Sequence, residues 1–205
     1  MHTLIPKLSP IEYAEFRPKA IRALTKDVIL GVIDRCLDPT GTGRAASMDM
    51  ANLCLLELKS RRRRHTINDA LAVFRTHTVE PIVWFEDARK VATRCLGAAE
   101  SRRKKGKVYV ILRDGYLRGG PYGVYVGSTR LPTVEERFAQ HRAGIHAAHG
   151  LQEHAIELMY SLFEWMNPVP GRTAPLRRQE TRLHRCLATA VPRVSGDVVS
   201  EETAD

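Results

Sequence analysis

The sequence predicts an α/β (α+β) protein: a mainly helical N-terminal region, residues 1–100, followed by a small domain with a short antiparallel sheet flanked by helices. Three observations predict it. Apolar residues of the first region recur at three-to-four spacing, two β-rich runs flank a turn-rich loop after residue 106, and a helix, a mixed segment and another helix follow.

The first helix is expected over Ala20–Leu37, where Ile21, Leu24, Val28, Ile29, Val32, Ile33 and Leu37 share a face. Asp38-Pro39-Thr40-Gly41-Thr42-Gly43 ends it. A second helix starts near Ser47 and carries Leu53, Leu55, Leu56 and Leu58, and helical stretches follow at Ile67–Phe74 and Phe85–Leu96. Ser101-Arg102-Arg103-Lys104-Lys105-Gly106 reads as the linker between domains. Beyond it, Lys107–Leu112 and Tyr122–Gly127 are rich in β-branched and aromatic residues, and the Gly- and Pro-containing loop between them predicts an antiparallel hairpin. Thr133 is an N-cap candidate for a helix over Thr133–Ala143, with Glu135 and Glu136 in its first turn and Gly144 at its end. Residues 151–166 suit strand or helix, Pro168, Pro170 and Pro175 mark a loop, and Leu176–Ala190 returns to helical spacing. The second domain is placed at residues 106–196, with an acidic tail over 197–205.

The chain carries a net charge of +9, with a pI near 9.7, which favours polyanionic partners, above all DNA, or RNA. The excess is uneven. Residues 1–100 hold 16 Lys/Arg against 12 Asp/Glu, residues 101–196 hold 16 against 7, and the tail from Asp197 adds four acids. Cys36, Cys54, Cys95 and Cys186 form no Cys-x-x-Cys pair, which argues against a zinc ribbon or a disulfide framework and for a reducing compartment. No apolar run approaches the roughly 18 residues needed to span a bilayer, and the N-terminus does not read as a signal peptide, so a cytoplasmic protein without membrane contact is expected. Gly41-Thr42-Gly43-Arg44 lacks the Gly-Lys-Ser/Thr of a P-loop. His141, His146, His149 and His154 have neither the H-E-x-x-H spacing nor a cysteine partner for zinc. Arg61–Arg64 reads equally well as a solvated helix end or a nucleic-acid contact.

Candidate chemistry lies in the basic half. Tyr109 and Tyr125 fall on the two strands, and Arg137 and His141, four apart, share a helix face. Taken singly, each has an ordinary structural explanation: strand packing for a tyrosine, a surface ion pair for Arg137 or for Glu180 in its Arg-rich helix. Together, Val108-Tyr109-Val110, Gly123-Val124-Tyr125-Val126-Gly127-Ser128-Thr129, Glu136-Arg137-Phe138-Ala139-Gln140-His141 and the later Glu180 resemble, in order and spacing, the GIY-YIG nuclease family over residues 106–195. That resemblance implies a metal-dependent endonuclease hydrolysing phosphodiester bonds in DNA. Glu180 would be the ligand of one divalent cation, Mg²⁺ or Mn²⁺, and Arg137 would hold the scissile phosphate. Tyr109 or Tyr125, assisted by His141, would be the general base. Tyr125 is preferred because it lies closer to Gly127, whose missing side chain would let substrate approach. Lys105, Lys107, Arg130 and Arg142 are the expected flanking phosphate contacts. Lys107 stands at the family's first glycine, Ser128 where many members have lysine, and Ser195 near the place of the family's late asparagine. The last departure motivates a second reading, a catalytically silent nucleic-acid-binding protein. A third makes residues 1–100 a protein-interaction module attached to the nuclease.

Overall fold

The computed structural model describes residues 17–38, 47–62, 64–95, 104–115 and 120–198. The chain divides into two compact units, 1–83 and 84–205. That division precedes the helix over residues 85–95, not the expected basic linker. Residues 101–103 of that linker lie outside the described residues, as does the Gly41–Arg44 turn, while Lys104–Gly106 are not linker but the start of a strand.

The first unit contains α1 (Arg17–Arg22), α2 (Lys26–Leu37), α3 (Met48–Ser60) and α4 (Arg64–Thr76). The single helix expected over residues 20–37 is broken, because Thr25 takes an extended conformation (φ −70°, ψ 162°) and serves as the N-cap of α2. Ser47 does cap α3, accepting from the Met50 amide at 3.3 Å. Nine of the thirteen residues of α3 are buried, so this helix is the centre of the unit, packed against α2 and α4. Its buried Asn52 accepts from the Ile82 amide at 2.9 Å. Arg61, from the basic cluster, donates to the carbonyls of Arg22 and Leu24 at 3.2 and 2.9 Å. It therefore closes the end of α1 and is engaged in structure.

The second unit begins with α5 (Phe85–Cys95) and continues with β1 (Lys104–Arg113), β2 (Gly123–Thr129), α6 (Val134–Arg142), a short α7 (Leu151–His154) and β3 (Ala155–Leu158). Two 3₁₀ turns, β4 (Val169–Pro170), α8 (Thr173–Leu187) and β5 (Val194–Ser195) complete it. The hairpin forms as expected, with Tyr109 opposite Gly127 and Ile111 opposite Tyr125. The sheet runs β3-β1-β2-β5, with β4 on β1. It is mixed and not purely antiparallel, because β5 joins β2 in parallel, Ser195 beside Tyr125. Both neighbours and both faces of β2 are covered, which suits its nearly unbroken burial. The ambiguous segment 151–166 resolves into a helical turn, a strand and two 3₁₀ turns. Pro175 lies inside the first turn of α8, where a missing amide hydrogen costs no helical bond. Asn167 extends the edge of β1 with its side chain, donating to the Val108 carbonyl at 2.8 Å and accepting from its amide at 2.9 Å.

Cys186 departs from expectation: it is disulfide-bonded, while Cys36 and Cys54 are thiols outside any disulfide. Four scattered cysteines carry no spacing pattern that would reveal such a bond, and the side chain of Cys95 lies outside the described residues. No helix among the described residues is long and apolar enough to cross a membrane.

Candidate active site

Strand alternation and the hairpin register put Tyr109, Tyr125 and Gly127 on one face of the sheet. There Tyr109 and Tyr125 lie 6.2 Å apart between ring centroids, and His141 from α6 completes an aromatic cluster, 5.9 and 5.5 Å from the two. The Tyr109 hydroxyl and His141 Nε2 are 2.8 Å apart. Gly127 has a different job from the one expected. A Cβ there would sit 2.5 Å from Cζ and Oη of Tyr109, so its missing side chain accommodates the phenol, not substrate. The ground for preferring Tyr125 as base therefore falls.

Burial sets the protonation of the cluster. His141 is fully buried; burial, and then the Arg137 charge, hold its pKa down to about 4. It is neutral at physiological pH, and its Nδ1 has no hydrogen-bond partner among the described residues. Burial likewise pushes both phenols above the usual tyrosine value, with Tyr125 opposing Tyr109 and Glu180 opposing Tyr125, while Arg137 pulls both back.

Arg137 is held by its own loop. Its Nη1 donates to Gln140 Oε1 and its Nη2 to the His146 carbonyl, each at 2.9 Å. Both partners are neutral, which leaves the positive charge uncompensated by a paired acid among the described residues. Thr133 caps the helix that carries it, accepting from the Glu136 amide at 3.1 Å.

Glu180 enters from α8 and is 2 % exposed. Its Oε2 accepts from Ser128 Oγ at 2.6 Å and from Arg177 Nη1 at 3.4 Å, and no hydrogen bond among the described residues falls on Oε1. Burial raises its pKa, against the Ser128 bond and the Arg177 charge, which lower it. No group of three or more His, Cys, Asp or Glu that could hold a metal occurs among the described residues. One buried carboxylate with an unbonded oxygen does fit a hard cation whose remaining ligands are water and substrate, as Mg²⁺ prefers.

Between α6, the end of β2 and the start of α8 lies a cavity of about 320 Å³, lined in part by Ser128, Arg130, Arg137, Gln140, Thr173 and Arg177. Three arginines and the N-terminal turn of a fifteen-residue helix make it positive. Of the four expected flanking cations, Arg130 lines this cavity and Lys105 is exposed. Lys107 instead donates to the Leu131 carbonyl at 3.2 Å, and Arg142 to the Ala155 carbonyl at 2.5 Å; both tie backbone segments together. Arg177 was missed, although its place three residues before Glu180 puts the two on one helix face. Ser195 Oγ bonds the Val124 carbonyl at 3.3 Å. His154 pairs with Asp114 at 3.0 Å.

No family model, no curated protein and no solved structure matches this chain. Residues and geometry together define a basic cavity walled by Arg137, with a buried phenol–imidazole cluster under the influence of that guanidinium and a buried carboxylate bonded to Ser128 of the wall, in one mixed helix-and-sheet unit.

Proposed function

We propose that the second unit is a metal-dependent endonuclease of the GIY-YIG type that hydrolyses phosphodiester bonds in DNA. The observation that carries this reading is the place of Arg137, with no paired acid among the described residues, on the wall of one positive cavity, its charge acting on the buried Tyr109, Tyr125 and His141, while Ser128 of the same wall bonds the buried Glu180. Arg137 binds and orients the scissile phosphate, whose two free oxygens match its fork. Tyr109 or Tyr125 acts as the base in its phenolate form: its own proton first leaves to solvent, and the phenolate oxygen then accepts the proton of the attacking water. Both stand near pKa values too high for the task unless the charge of Arg137 and a bound cation assist. Neutral His141 fixes the Tyr109 hydroxyl. Mg²⁺ or Mn²⁺ on Glu180 would supply charge stabilisation for the phosphoryl and leaving oxygens. The first unit, which carries no comparable cluster among its described residues, is assigned to selecting substrate or partner.

The full chain incubated with supercoiled plasmid and Mg²⁺ or Mn²⁺ should nick it. Glu180→Gln, which preserves the shape bonded by Ser128, and Arg137→Ala should abolish nicking without changing the unfolding midpoint. Cleavage unchanged by both substitutions refutes the site. Binding without cleavage by the native protein favours the silent nucleic-acid-binding reading. Tyr109→Phe and Tyr125→Phe, compared directly, identify the base.

A further inference from the structure

Arg177 projects from α8 into the same cavity as Arg130 and Arg137, yet the catalytic reading gives it no work. Its Nη1 donates to Asp197 Oδ2 at 3.0 Å, a shorter contact than the 3.4 Å to Glu180. We propose that Arg177 is a second phosphate-binding side chain of this cavity and that Asp197 is its resident carboxylate, a stand-in that nucleic-acid phosphate displaces. The proposal rests on the nucleic-acid reading above, not on cleavage.

The approach of Asp197 is built into the backbone. β5 runs beside β2, with Ser195 opposite Tyr125, so the chain after α8 returns to the site. Gly196 then adopts φ +141°, and a Cβ on it would lie 2.3 Å from the Val126 carbonyl oxygen. Only glycine allows the strand to press this closely and turn there. The next residue is the acid that meets Arg177.

The pair is also of the kind that yields. The side chains of Arg177 and Asp197 are 43 % and 73 % exposed, and exposed ion pairs are weak because solvent screens them and ordering two long side chains costs entropy. A phosphodiester in a cavity with two other guanidinium groups gains more from the same fork. Glu180 is not a competing stand-in, because it is almost fully buried and holds Ser128 as well.

The test is binding of the full chain to a short fluorescein-labelled DNA duplex in EDTA, measured across a salt series. Asp197→Asn should tighten binding about two- to fivefold, the release of one exposed pair. Glu153→Gln, which makes the same net-charge change at an exposed acid on α7 that does not line the cavity, should tighten it less. Arg177→Gln should weaken binding and reduce the slope of log K against log salt by about 0.9. In that background Asp197→Asn should tighten binding no more than Glu153→Gln does. Equal effects of Asp197→Asn with and without Arg177, or equal effects of Asp197→Asn and Glu153→Gln, overturn the proposal; the second comparison holds even if Arg177→Gln fails to fold. Metal-dependent cleavage without the coupling removes this proposal alone, coupling without cleavage removes only the nuclease reading, and absence of binding by every protein removes both.

Discussion

Replacing Gly127 by alanine tests the packing that joins the two strand motifs. The new methyl would stand 2.5 Å from Cζ and Oη of Tyr109 and 2.8 Å from Cε2, against a comfortable separation of about 3.5–4.0 Å. The ring must therefore retreat by about 1 Å. Tyr109 is 1 % exposed, and its hydroxyl is 2.8 Å from an imidazole that is itself fully buried. Retreat thus strains the core or lengthens that bond beyond hydrogen-bonding range. Overpacking of this kind costs about 1–3 kcal/mol, of which loss of the bond accounts for about 1. Both tryptophans, Trp84 and Trp165, lie in the second unit, so urea unfolding followed by tryptophan fluorescence reports on it directly. Gly127→Ala should lower the midpoint with little change in slope. In a Tyr109→Ala background the same substitution should cost almost nothing, because the atoms it strikes are gone. An equal loss in both backgrounds, or none in the native protein, refutes the reasoning.

Two further outcomes are expected. Between pH 5 and 6.5 the unfolded chain binds the proton that His141, held at about 4, refuses, so this group makes stability rise with pH by about 1.5 kcal/mol across that interval. Glu164 works the other way: burial, and then Glu135, lift it to about 7, the folded state binds the extra proton, and stability falls as pH rises. The native profile should be shallow there, whereas Glu164→Gln should expose the His141 rise in urea midpoints; a flat or falling profile in that variant contradicts the assignment. Arg142→Gln should destabilise the protein by about 1 kcal/mol through its bond to the Ala155 carbonyl and leave the salt slope of DNA binding unchanged. A slope smaller by about 0.9 would restore Arg142 as a phosphate contact.

The elements legible in the sequence are those long enough to display a period. The hairpin strands and α3, α5, α6 and α8 fall close to their expected places, because seven or more residues of alternating or helical pattern outweigh local noise. β4 and β5, two residues each, are too short to have a period, and β5 also pairs in parallel, which depends on where α8 delivers the chain. In residues 151–166 the apolar positions serve three kinds of short element in succession, so neither template fits. The break in the first helix leaves the apolar spacing undisturbed and is visible only in the extended backbone of Thr25.

For the site, residue type was readable and partnership was not. Lys107 and Arg142 are expected as flanking phosphate contacts, yet backbone carbonyls take both. A cation's role depends on which acceptors surround it, and those come from other elements. Arg177 illustrates the converse, because helical spacing from Glu180 was available as a signal while its second partner, Asp197, lies twenty residues away. The strand position reached by Ser195 brings that acid there, through a glycine that a larger residue could not replace without striking Val126. Ser195 therefore matters less for the hydroxyl it offers than for the register it sets: moving β5 by one residue against β2 would carry Asp197 away from Arg177 and leave the cavity more positive.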